Sequence, residues 1–130
     1  MSTVREVQVT FDCADPARLA AFWCEALGYE SPPGDAEPGS AWAACVDPSG
    51  RGPRLFFQRV PEGKVVKNRV HLDVRAVRGR VGEERLAALR AESARLVALG
   101  ASELRLLPAD GEDESCQVMR DPEGNEFCLD

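Results

Sequence analysis

The chain has one histidine, His71, among 130 residues, so any imidazole chemistry must use that residue and every site built on two imidazoles is excluded. Its five cysteines (Cys13, Cys24, Cys45, Cys116 and Cys128) form no CxxC pair, and their odd number fits reduced thiols better than a disulfide framework. Apolar runs are only a few residues long, and the opening Met1-Ser2-Thr3-Val4-Arg5-Glu6 carries no apolar signal core. The expectation is a cytoplasmic protein with no membrane partner. There is also no basic run. With 22 acidic residues against 16 basic ones and a net charge of -6, the chain lacks a phosphate-binding footprint. Nucleic acid is not an expected partner, and a small neutral or cationic ligand suits this charge better.

What is present is enough apolar content, 44%, for one packed core, and a single domain over residues 1–130 is expected. Two landmarks repeat along it. Ala26-Leu27-Gly28-Tyr29 matches Ala98-Leu99-Gly100-Ala101 at an offset of 72, and Val46-Asp47-Pro48-Ser49-Gly50 matches Arg120-Asp121-Pro122-Glu123-Gly124 at 74. A nearly constant offset across two landmarks indicates a duplicated unit, with module one over about 4–60 and module two over about 69–130.

In the first module Val7, Val9 and Phe11 alternate with Gln8 and Thr10, the period of a half-buried strand from Val4 to Phe11. Asp15-Pro16 opens a helix whose apolar stripe runs through Leu19, Phe22, Trp23 and Leu27 and stops at Gly28. After a Pro- and Gly-rich loop over 31–39, Ala41–Val46 and Leu55–Val60 read as strands around an Asp-Pro-Ser-Gly turn. Pro61–Asn68 reads as a linker whose Lys64 and Lys67 lie on a solvated surface. The second module repeats the plan. Arg69–Arg75 is a strand and Val81–Leu99 a helix with Leu86, Leu89, Leu96 and Leu99 inside and Arg85, Arg90, Glu92 and Arg95 toward water, followed by strands at Glu103–Leu107, Ser115–Arg120 and Asn125–Leu129. The predicted fold class is α+β: two βαβββ modules forming a curled mixed sheet cup with helices outside. Val7, Val9 and Phe11, like Val70, Leu72 and Val74, would pack under their helices. Gln8, Thr10, His71 and Asp73 would line the cup, where a ligand binds.

Asp15-Pro16 with Phe22-Trp23 and Leu27-Gly28, then Lys67-Asn68-Arg69-Val70-His71-Leu72-Asp73, then Asp121-Pro122-Glu123-Gly124-Asn125-Glu126-Phe127 carry a resemblance over nearly the whole chain. The sequence resembles the vicinal oxygen chelate superfamily of glyoxalases, extradiol dioxygenases and bleomycin-type drug-binding proteins. In that family one ligand from the first strand and one from the last strand of each unit hold a divalent ion, commonly through His, Gln and Glu. The resemblance places the first-strand ligands on Gln8 and His71. The last-strand position falls on Cys128 in the second unit and on Phe57, or its neighbours Phe56 and Gln58, in the first, where Arg51-Gly52-Pro53 blurs the register. No register puts a carboxylate there. The acid/base carboxylates of the metal-dependent members are therefore missing.

Gln8, His71 and Cys128 make a three-donor metal set of mixed softness, suited to zinc or nickel if to any ion. The remaining candidates are His71 and Asp73 as catalytic residues and Gln8, Thr10, Trp42, Phe57, Gln58 and Cys128 as ligand contacts. Trp42, Phe56 and Phe57 would act as stacking surfaces, whereas Phe22 and Trp23 belong to the core. Each candidate also has a plainer role: His71 as a wall residue bonded to Asp73 or Gln8, and Cys128 as a buried thiol. The missing carboxylates and the aromatic residues near the cup favour a small-molecule binding protein without cofactor, and the resemblance implies a homodimer. The alternative is a glyoxalase-type lyase or isomerase using a divalent metal on a hydroxy-carbonyl substrate, and the sequence leaves enzyme or binder open. An extradiol dioxygenase ranks last, because one histidine does not build its iron site.

Overall fold

The computed structural model describes residues 3–33 and 37–130, so part of the predicted 31–39 loop lies outside the described residues. The chain divides into two compact units, 1–63 and 64–130, at a boundary inside the predicted linker. The architecture is α+β, with one helix and one open mixed sheet in each unit.

The first unit contains β1 (Gln8–Cys13), α1 (Pro16–Leu27), β2 (Trp42–Cys45) and β3 (Arg54–Arg59), in sheet order β1-β3-β2. β3 runs parallel to β1 and antiparallel to β2. The fourth strand of the predicted plan is reduced to a bridge between Glu30 and Val46. The helix ends follow from local chemistry. Asp15 accepts from the backbone N–H of Arg18 at 3.3 Å, Pro16 occupies the first turn, and Gly28 closes the helix at φ 70°, a left-handed conformation that glycine adopts without Cβ strain. Val9, Phe11 and Cys13 turn to the helix side, where Phe11 contacts Trp23 at 5.6 Å between ring centroids and stacks on Phe57 at 5.2 Å. Strand β1 starts four residues later than predicted, and Val4 and Val7 remain exposed because no partner strand reaches them.

The second unit keeps the full βαβββ plan: β4 (Asp73–Val74), α2 (Gly82–Ala98), β5 (Ser102–Leu107), β6 (Cys116–Arg120) and β7 (Glu126–Leu129), in order β4-β7-β6-β5. The first of these is far shorter than the predicted Arg69–Arg75. Only its C-terminal end pairs with β7, and Val70 is exposed rather than packed under the helix. The Asp-Pro-Glu-Gly turn forms as expected: the Asp121 carboxylate accepts from the N–H groups of Glu123 and Asn125, both at 2.9 Å, and so fixes where β7 begins.

Arg85 departs most clearly from the expectation. It lies inside the protein at 6% exposure, donating to the Ser115 carbonyl at 2.8 Å and to the Val77 and Arg80 carbonyls at 3.3 Å. Leu89 and Leu96 are buried as predicted, while Leu99 is exposed because the helix has already ended at Ala98. The guanidinium ties α2 to the start of β6 through groups that no apolar residue can satisfy. Arg85→Met should therefore cost about 2–3 kcal/mol in denaturant unfolding, by leaving buried carbonyls without donors. Arg90→Met on the exposed side of α2 should shift stability by less than about 0.5 kcal/mol, and equal losses in the two variants would contradict this role for Arg85.

Candidate functional site

Because α1 packs on one face of the first sheet, strand alternation sends Gln8, Thr10 and Asp12 of β1 and Arg54, Phe56 and Gln58 of β3 to the other face. Register sets their neighbours: Gln8 lies opposite Arg54, Thr10 opposite Phe56, and Gln58 between Asp12 and Trp42. Trp42, 46% exposed, stacks on Phe56 with centroids 5.7 Å apart and planes 14° from parallel. The Arg54 guanidinium lies 5.4 Å from the Phe56 ring centroid and donates to Gln8 Oε1. Gln58 Nε2 donates to Asp12 Oδ1 at 2.8 Å, and Gln8 Nε2 donates to Thr10 Oγ1 at 3.4 Å. The face is thus a two-ring aromatic platform bordered by a cation, two amides, a hydroxyl and a carboxylate.

This platform contains Gln8, Thr10, Trp42 and Gln58 of the predicted contacts and corrects another. Phe57 belongs to the core, fully buried against Phe11, and Phe56 is the ring on the open face. Arg54 and Asp12 escaped sequence reasoning. The alternation of Leu55 and Phe57 carries the signal for Arg54, but only once the Asp47 turn fixes the register of β3. Asp47 does so by accepting from the N–H groups of Ser49 and Gly52, both at 2.7 Å.

In the second unit β4, the segment just ahead of it and β7 bring His71, Asp73 and Cys128 together. His71 Nε2 lies 3.1 Å from Asp73 Oδ1, and one donor atom from each of the three residues falls within 4.8 Å of the others. Gln8, the third member of the predicted metal set, belongs to the first unit, where its Oε1 is engaged by Arg54. Burial pushes the Cys128 thiol up to about 11, and Cys116, Asp73 and Asp130 act in the same direction. Cys116 is raised as well, by burial and then by Asp130 and Asp73, with Arg85 opposing. Both sulfurs are therefore protonated at neutral pH, the less nucleophilic form of a thiol.

The family model described as a glyoxalase-like domain matches residues 8–129, and the chain belongs to that family. No curated protein sequence matches the chain. Among solved structures it is similar to a glyoxalase/bleomycin resistance protein/dioxygenase family enzyme from Burkholderia phytofirmans PsJN, with TM-score 0.65 and 17% identity over 94% of each chain. It is also similar to a point mutant of the fosfomycin resistance protein FosX from Listeria monocytogenes, complexed with Mn(II) and 1S,2S-dihydroxypropylphosphonic acid, with TM-score 0.68 and 15% identity over 98% of this chain and 90% of that one. A possible glyoxalase from Bacillus cereus matches with TM-score 0.63 and 17% identity over 98% of each chain. At these identities the likeness establishes the fold. Among the described residues no helix is long and apolar enough to cross a membrane.

The thiol assignment has a direct chemical readout. Alkylation of Cys128 by iodoacetamide, resolved from the other cysteines by peptide mass spectrometry, should be slow at neutral pH and rise about tenfold per pH unit until it levels off near pH 11. Levelling off between about pH 8 and 9, the range of an ordinary thiol, would show that burial does not hold the proton on this sulfur.

Proposed function

We propose that this chain is a small-molecule binding protein of the glyoxalase/bleomycin-resistance type that takes a flat ligand without a metal. The observation that carries the reading is the stacked Trp42–Phe56 pair on the face of the first sheet turned away from its own helix, with Arg54 over the Phe56 ring. An exposed aromatic pair of this kind offers a π face to a planar molecule, and the neighbouring Gln8, Thr10 and Gln58 supply donors and acceptors that orient it. The chemistry of the second unit supports the same reading. Cys128, a protonated thiol, stands where the metal-dependent relatives are expected to carry a carboxylate, and the acid/base group of a lyase is missing with it. We also propose a homodimer, as the family resemblance implies, located in the cytoplasm.

One observation favours a second reading. The imidazole, carboxylate and thiol of His71, Asp73 and Cys128 within 4.8 Å form a donor set that fits zinc, not the hard Mn(II) of the FosX complex. Zinc held there would act as a Lewis acid toward a carbonyl oxygen. In that case Cys128 must give up its proton to the solvent on binding.

Tryptophan fluorescence separates the readings, because Trp23 is fully buried and Trp42 is half open, so contact quenching reports on Trp42. With a chelator present, planar aromatic compounds should quench the wild type saturably, and Trp42→Ala or Phe56→Ala should weaken binding about tenfold, the scale of one lost ring contact. Turnover of a hydroxy-carbonyl compound that requires zinc and vanishes in His71→Ala, with no metal-free quenching, would replace the binder by the lyase.

A further inference from the structure

On an acidic chain the second unit has a concave region of the opposite sign. A cavity of about 430 Å³, lined only by residues between Lys64 and Glu126, brings four cationic side chains together with two carboxylates. One cation is already used. The Glu126 carboxylate, only 5% exposed, accepts from Lys64 Nζ at 2.8 and 3.0 Å and from the Asn68 N–H at 3.2 Å. Burial by itself would raise its pKa, but Lys64 and Asn68 outweigh that and hold it below the ordinary carboxylate range.

The other three cations are under-used. Arg120 Nε stands 3.9 Å from Glu126, a carboxylate whose bonds are already made. Lys67 reaches only the Asn68 carbonyl at 3.4 Å, and Arg105 makes no ion pair or side-chain hydrogen bond among the described residues. A second feature is independent of charge: Val65 and Val66, 92% and 75% exposed, and Leu104 bring apolar surface to the same cavity. Two adjacent valines left in water beside the Arg105 guanidinium make a wall that an apolar body would cover.

We propose that this cavity binds a small carboxylate with an apolar body, its anionic end held by Arg105 and Arg120 with Lys67 nearby and its apolar part lying against Val65, Val66 and Leu104. Guanidinium groups suit a carboxylate because their parallel N–H donors match its two oxygens. The ligand class differs from the neutral or cationic molecule that the overall charge of -6 favours. Local charge inside a concavity governs capture at close range, whereas the net charge acts over longer distances and is screened by salt.

The test uses the whole chain with phenylacetate as probe, benzyl alcohol as the neutral analogue and inorganic phosphate as an anion without an apolar body. Phenylacetate should shift the backbone amide resonances of Val65, Val66 and Gly124 saturably, and should do so at a lower concentration than phosphate. The double variant Arg105→Gln/Arg120→Gln should weaken this binding at least about tenfold, the loss expected for two charge-assisted contacts. Arg90→Gln, which removes one exposed positive charge from α2, should leave it unchanged, and both proteins should retain the wild-type thermal transition. No saturable shift, equal affinity in the double variant, or equal binding of benzyl alcohol or phosphate would overturn the assignment. Since every lining residue belongs to the second unit, the result does not depend on whether Trp42 and Phe56 bind a planar ligand.

Discussion

Each unit supplies one helix, and that helix covers one face of its own sheet. The two-residue period of a strand then sorts every side chain into core or open face. In β3 this constraint buries Leu55 and Phe57 and presents Arg54, Phe56 and Gln58. In β7 it buries Phe127 and Leu129 while leaving Cys128 partly accessible. A shift of one residue in either strand would exchange the core with the open face, so whatever fixes register also fixes the chemistry the protein can perform.

Two aspartates and one glutamate do much of that fixing. Asp47 and Asp121 gather backbone N–H groups into tight turns ahead of β3 and β7. Glu126 then anchors the entering segment of the second unit: its carboxylate binds Lys64 and the Asn68 backbone, while Asn68 exchanges side-chain bonds with the Glu126 main chain. A buried carboxylate is stable only when its partners are in place. The same contacts consume Lys64 and leave Lys67, Arg105 and Arg120 to give the adjacent cavity its positive character.

Features written in local sequence were legible. The Asp15-Pro16 start and Gly28 stop of α1, both Asp-Pro turns and the second-unit βαβββ order follow from residues a few positions apart. Features that join distant residues were not. Arg85 has the look of a solvent-facing helix residue, and only its bond to Ser115, thirty positions away, brings it inside. Phe56 and Phe57 are indistinguishable by type, and the Arg51-Gly52-Pro53 insertion hid which one faces the helix. The stripe of the first strand ran too early because Val7 alternates correctly but has no neighbouring strand to cover it. In the candidate site, the open-face positions of Gln8 and Thr10 are legible in strand period, whereas Gln58 enters only through the family resemblance and Trp42 only as an aromatic residue near the cup. Arg105 and Arg120, on separate strands, gave no sequence signal of a shared cavity, and Lys64 and Lys67 passed for an ordinary solvated linker.

We propose that the His71, Asp73 and Cys128 group holds no resident metal, so that this glyoxalase-like fold binds its ligand without one. Elemental analysis of the purified protein, followed by calorimetric titration of zinc and nickel into wild type and His71→Ala, tests that most directly. The prediction is no stoichiometric metal in the isolated protein and no tight uptake by either form. Tight one-to-one binding by the wild type that is lost in His71→Ala would contradict it.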